Sequence, residues 1–113
     1  MSSEKKWLRR LHNILKNHLA DVGFDNQQLA REFELSERHL SRKVKQLTGL
    51  SPQKYLRQYR LNSALDYLRN GTYTSVKETS LAIGYVNTSY FIKQFEKEFG
   101  QKPLNVLKEF GWR

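Results

Sequence analysis

No cysteine occurs in this chain of 113 residues, which excludes disulfide staples and thiol chemistry and leaves a reducing compartment as the expectation. No apolar run approaches the roughly 18 residues of a membrane-spanning helix, and there is no signal-peptide pattern, so a soluble cytoplasmic protein is expected. A glycine-rich phosphate loop and a nucleophile elbow are both missing. His12, His18 and His39 do not share a metal-ligand spacing with cysteines or paired carboxylates. The chain therefore reads as a non-enzyme with no metal and no cofactor. Acidic groups are also scarce, 11 Asp and Glu against 20 Lys and Arg, for a net charge of +9. That bias favours a polyanionic partner, although charge alone does not say which. The length suits one domain or two small lobes sharing a helix, too small for a deep enclosed pocket.

What is present is organised around Ser51 to Gly71. Ser51 is placed as an N-cap, Pro52 as first helical residue and Gly71 as the stop, with Leu50 able to staple onto Tyr55. At 100° per residue, Tyr55, Leu56 and Tyr59 cover one side, whereas Leu61, Ala64, Leu65 and Leu68 fall on the other. A helix packed on one body would keep one stripe. The change of side implies a connector whose first half serves the segment before it and whose second half serves the segment after it.

Before the connector, Met1 to Glu4 read as a loose start. Trp7, Leu8, Leu11, Ile14, Leu15 and Leu19 then give an amphipathic helix from Lys5 to about Asp21–Gly23. Asp25 caps a short second helix, with Gln28 in the capping-box position and Phe24 stapled to Leu29, ending near Glu34. Leu35 and Ser36 repeat the staple and cap, and a third helix from Glu37 to Thr48 turns Leu40, Val44 and Leu47 inward and stops at Gly49. Two short helices joined by a tight turn make a helix-turn-helix. After the connector the pattern returns. Ser75 caps a helix with Glu78, Val76, Ser80 and Ile83 face inward, and Gly84 makes the turn. Val86 and Asn87 are staple and cap, and Phe91, Phe95 and Phe99 lead to Gly100. Leu40, Val44, Gly49 and Pro52 match Phe91, Phe95, Gly100 and Pro103 at an offset of 51, and Ala30 matches Ser80 at 50. The second turn is one residue longer. An internal repeat follows, and Pro103 to Phe110 is expected to close the chain as a short helix with Leu104, Leu107 and Phe110 inward.

The expected class is all-α, with seven helices divided into a start (1–4), a first helix-turn-helix subdomain (5–50), a linker helix (51–71) and a second subdomain (72–113). Opposite the inner stripe of the third helix stand Arg38 and Arg42, flanked by Ser41 and Lys45. Over 36–48, Arg38, Arg42, Lys43 and Lys45 against Glu37 give a net +3. An anchored inner face and an outer face of Arg forks and short polar groups suit a helix entering the major groove; an ordinary solvated face is the alternative. On the sixth helix Ser89 and Lys93 correspond, with Thr88, Ile92, Glu96 and Lys97 beside them. Lys93 and Lys97 against Glu96 and Glu98 give zero over 88–99, so its electrostatic hold is expected to be weaker. Ile92 either touches a thymine methyl or packs against the tail or another chain. Arg57, Arg60 and Lys102 are candidates for phosphate contacts or ordinary surface charges.

These residues resemble the AraC/XylS-type DNA-binding domain over nearly the whole chain. SPQKYLRQYRLNSALDYL looks like that family's linker helix, and IGYVNTSYFIKQFEKEFGQKP is similar to its signature around the second recognition helix. The resemblance implies sequence-specific binding of double-stranded DNA by a bacterial transcription regulator, often an activator touching RNA polymerase. By motif position, Arg38, Ser41, Arg42, Thr88, Ser89 and Lys93 would contact bases. Lys45, Arg57, Asn87, Ile92, Lys97 and Lys102 would contact the backbone or flank it. WLRRLHNILKNHLADVGFDNQQLA and LSRKVKQLTGLSP look most like the C-terminal output domains of two-component or hybrid sensor regulators. The alternative is a protein-interaction module for RNA polymerase or an anti-activator with only non-specific DNA affinity. An isolated monomer is expected, with a dimer open to a full-length protein. Three departures from the family stand out: Glu34 at a turn that often holds Gly, Thr79 and Ser80 in place of an apolar residue and Ala, and Val86 at a commonly polar spot.

Overall fold

The computed structural model describes residues 2–112, and among them the chain is all-helical, as the sequence leads one to expect. The helices are α1 Ser3–Asn17, α2 Asn26–Glu32, α3 Glu37–Thr48, α4 Pro52–Asn70, α5 Val76–Ala82, α6 Thr88–Phe99 and α7 Pro103–Val106, the last running on as a π-helical turn, Leu107–Gly111. The starts of α1 to α6 each carry the side chain that the backbone needs there, whereas α7 begins with Pro103 and has no side-chain cap. Asp25, Ser36, Ser75 and Asn87 accept from the amides of Gln28, His39, Glu78 and Tyr90 and so satisfy otherwise orphaned N–H groups. Ser51 does the same for Lys54 at the head of α4.

Two compact units result, one of residues 1–18 and 23–58, the other of 19–22 and 59–113. The boundary falls inside α4, between Gln58 and Tyr59. In the first unit Leu11, Leu15, Phe24, Leu29, Ala30, Phe33, Leu40, Val44 and Leu56 are buried. In the second, Leu61, Ala64, Leu68, Ile83, Phe91, Phe95, Val106, Leu107 and also Leu19 form one core cluster.

Several boundaries differ from those read off the sequence. Met1 lies outside the described residues, but Ser3 and Glu4 are helical, because the Ser2 hydroxyl caps α1 by accepting from the Lys5 amide at 3.2 Å. The same helix stops at Asn17, short of Asp21, and the four residues 19–22 leave for the second unit, where Leu19 is buried. α2 ends at Glu32, with Phe33 as its C-cap. In the tail Pro103, Val106 and Leu107 are buried and Phe110 packs partly buried against the same core, as expected of Leu107 and Phe110, while Leu104 is 41% exposed. Val86 is 64% exposed, and the ring nearest Phe91 across that turn belongs to Tyr85, with centroids 5.9 Å apart.

Both short-helix corners are built alike. After α2 the Glu34 amide donates to the Arg31 carbonyl and the Leu35 amide to the Ala30 carbonyl; after α5 the Gly84 amide donates to Leu81 and Tyr85 to Ser80. These paired bonds close a left-handed C-cap. Glu34 takes φ 56 and Gly84 takes φ 87. Thr79 and Ser80, buried in place of apolar side chains, are satisfied locally. The Thr79 hydroxyl donates to the Ser75 carbonyl at 2.9 Å and the Ser80 hydroxyl to the Tyr85 carbonyl at 2.7 Å. Ser80 thereby adds a second bond across its own corner.

Candidate nucleic-acid interface

α3 is anchored by Leu40 and Val44, both fully buried. On the opposite face Arg38 and Arg42 are exposed, and Ser41 and Lys45 are exposed on its flanks. The helical period alone puts the two arginines there, since residues two positions either side of Leu40 point about 160° away from it. Lys43 behaves differently. Its ammonium lies 5.8 Å from the centre of the Trp7 ring, so this charge is held against α1. His39 is exposed near the start of the helix, its amide capped by Ser36.

α6 has the same construction with different cargo. Phe91 and Phe95 are its buried anchors. Ser89, Lys93 and Lys97 are exposed, whereas Thr88 is half-buried and Asn87 spends its side-chain oxygen capping the helix. Ile92, the counterpart of Ser41, packs against the core cluster and lines a groove of about 440 Å3 with Val76, Pro103, Leu104, Leu107 and Trp112. Of the two roles open to it in the sequence, packing against the tail is the one its surroundings favour. Lys102 stands exposed beside that groove, and Arg57 is exposed on α4.

Arg60 is not a surface charge. Its guanidinium donates to the Asp21 carbonyl at 3.1 Å, and its Nε is buried without a hydrogen-bond partner among the described residues. Burial pushes its pKa below the ordinary arginine value, against the opposing pull of Tyr85 and Asp21. A guanidinium so placed ties the 19–22 segment to α4 through the Asp21 carbonyl.

Arg10 has a parallel place in the first unit, donating to the Glu32 carbonyl at 2.8 Å. Arg10 and Arg60 stand 50 residues apart, the offset that also relates Glu34 to Gly84 and buried Leu11 to buried Leu61. The repeat therefore includes α1 and the second half of α4. Sequence reasoning missed this pair, although the shared offset was the signal that could have found it.

No group of three or more His, Asp or Glu able to hold a metal occurs among the described residues, and none of their helices is long and apolar enough to cross a membrane.

The frame of paired caps, left-handed corners and exposed α3 defines a helix-turn-helix class, and comparison with known proteins agrees. Residues 29–109 match the family described as "Helix-turn-helix domain". The HTH-type transcriptional activator RhaS of Escherichia coli (strain SE11) is 38% identical over 93 residues, covering 81% of this chain and 32% of that protein. The chain thus spans about a third of the length of the curated relatives it matches. The C-terminal domain of the two-component response regulator yesN from Fusobacterium nucleatum superposes with a TM-score of 0.80 at 26% identity, covering 90% of this chain and 98% of that one. The DNA-binding domain of AdpA, solved in complex with a target DNA, also gives 0.80, at 25% identity and 90% coverage of each chain. The chain belongs to the AraC-type helix-turn-helix family.

Proposed function

We propose that this chain is the sequence-specific DNA-binding module of a bacterial transcription regulator, with α3 and α6 reading successive major-groove faces of one asymmetric site. The observation that carries this is the exposed α3 face, with Arg38 and Arg42 opposite the buried Leu40 and Val44 and Ser41 and Lys45 exposed on its flanks. Arg38 and Arg42 offer guanidinium forks for guanine edges, and Ser41 allows close approach. Lys45 supplies phosphate contact. In α6 Ser89 and Lys93 take the corresponding positions, with Thr88 at the helix start and Lys97 and Lys102 on the flanking backbone. The structural likeness to a DNA-bound AdpA domain supports the mode of binding, and the identity to RhaS supports an activator. The likeness to the yesN C-terminal domain supports an output role downstream of a sensor.

Selection from a randomised duplex pool at near-physiological salt, followed by a salt titration on the recovered site, tests the proposal. Two enriched blocks about one helical turn apart are expected. Recovery of no sequence, with binding to any duplex that falls steeply with salt, would leave only a basic surface.

A second reading has its own observation. α6 carries no net charge, and beside it lies the apolar groove with Leu104 and Trp112 exposed at its edge. Exposed apolar surface of this kind suits a protein partner, RNA polymerase among them. A selected site with a single block, bound as well after Lys93→Ala, would favour it for the second unit.

A further inference from the structure

At the corner between α2 and α3 a glutamate holds the left-handed backbone that an L side chain disfavours. Four side chains converge on that corner. The Arg10 guanidinium lies 4.9 Å from the centre of the Phe33 ring while it donates to the Glu32 carbonyl. Phe33 is the C-cap of α2, the residue directly before Glu34. Its ring stacks on Trp7 with centroids 4.4 Å apart and planes 19° from parallel. Trp7 in turn carries the ammonium of Lys43, which projects from α3. The contacts thus run from α1 through the end of α2 to α3 and bracket the strained residue on both sides in sequence.

We propose that Arg10, acting through Phe33 and Trp7, is a positioning residue that holds the Glu34 corner in its left-handed form and so fixes α3 against α1 for DNA. Three observations converge. Arg10 reaches the carbonyl two residues before Glu34, where the C-terminal end of α2 presents unsatisfied acceptors that favour a cation. A guanidinium gives a planar fork and a stackable face at once, which a lysine would not. The equivalent corner at Gly84, where glycine removes the strain, is held differently: the guanidinium of Arg60 there donates to Asp21, and the ring beside the corner, Tyr85, packs on Tyr90 and Phe91 of α6. The consequence for DNA rests on the DNA-binding reading; the hold on the corner does not.

Amide hydrogen exchange on the intact chain separates the two. In Arg10→Gln, exchange at the Glu34 and Leu35 amides is expected to rise about 10-fold, the combined loss of one exposed cation–π contact and one hydrogen bond. Phe91 and Phe95 amides should keep their protection. Adding Glu34→Gly, which relieves the backbone, should bring Leu35 back to within about 2-fold of the unsubstituted chain. On a selected duplex Arg10→Gln should weaken binding, and Glu34→Gly in that background should restore it. Unchanged exchange at Leu35, equal acceleration throughout the first unit, or failure of Glu34→Gly to rescue would each overturn the proposal. If the unsubstituted chain selects no duplex, the DNA reading fails while the exchange results still decide the role of Arg10.

Discussion

The two helix-turn-helix corners of this chain share a backbone and differ in how they sustain it. At Glu34 the left-handed turn is made by a residue with a side chain, and at Gly84 by one without. A Cβ built on Gly84 would lie 2.8 Å from the carbonyl oxygen of Leu19 and 3.3 Å from the Arg60 guanidinium carbon. Gly84 is therefore required twice, by its φ and by the space it leaves to residue 19. Glu34 is exposed and bears only the first of these constraints. The same motif thus tolerates an L residue where its side chain lies exposed and excludes one where a backbone atom occupies the Cβ position.

Matched substitutions test this contrast most strongly. Gly84→Ala should cost about 3 kcal/mol, since the left-handed penalty of roughly 1–2 kcal/mol is joined by a clash with a backbone atom that cannot swing away. Glu34→Ala should shift stability by no more than about 0.5 kcal/mol, because the penalty is already present. Urea unfolding of the two variants reads the difference, and equal losses would show that φ alone sets both corners.

The helices proposed to read DNA, α3 and α6, differ by charge as the corners differ by strain. Arg42→Ala is expected to cost about 1–3 kcal/mol of affinity for a selected site and to relax preference at one base pair. Lys93→Ala, on a helix whose neighbouring Glu96 and Glu98 cancel its charge, should cost less and leave a smaller change in salt dependence. Fluorescence anisotropy at several salt concentrations measures both. A larger loss at Lys93 than at Arg42 would reverse the ranking of the two units.

Ser80 and Ala30 occupy equivalent places, yet only the serine bonds across its corner. Removing that hydroxyl leaves the Tyr85 carbonyl one bond poorer, so Ser80→Ala should lose roughly 1 kcal/mol in urea unfolding. A neutral result would mean that the paired backbone bonds hold this corner without it.

How much of this was legible in the sequence follows from the range of the interactions. The caps Asp25, Ser36, Ser75 and Asn87 act on amides three residues away, and the ends at Gly49, Gly71 and Gly100 depend on a single φ, so local reading found them. The exposed faces of α3 and α6 followed from helical period once Leu40, Val44, Phe91 and Phe95 were taken as inner. Leu19 was misplaced because it continues the period of α1, while its actual neighbours are Leu61 and Ile83, far along the chain. Ile92 was ambiguous because its company, Pro103, Leu104 and Trp112, comes from the tail. Arg10 carries no functional reading in the sequence and Arg60 stands only as a phosphate candidate or surface charge, because the carbonyls they reach come from other segments; the shared offset of 50 is the one sequence signal that links them. Glu34 stands out in the sequence only through its departure from the family, and what sits against it is set by α1.

The smallest effect concerns alkali and the second unit alone. Burial is the main cause raising the Tyr59 and Tyr67 pKa values above the ordinary 10.0, with Tyr67 adding to the first, and Tyr73 and Asp66 to the second. Both groups are neutral in folded and unfolded chain well below that value, so stability there is unaffected. As pH rises through about 10 the unfolded chain loses these protons first. Stability then falls with pH until the folded tyrosines ionise in their turn. Urea midpoints should therefore drop between about pH 9 and pH 11, and Tyr67→Phe should flatten that drop without abolishing it, because Tyr59 still contributes. A drop of unchanged steepness in the Tyr67→Phe chain would assign the alkaline response to groups outside this pair.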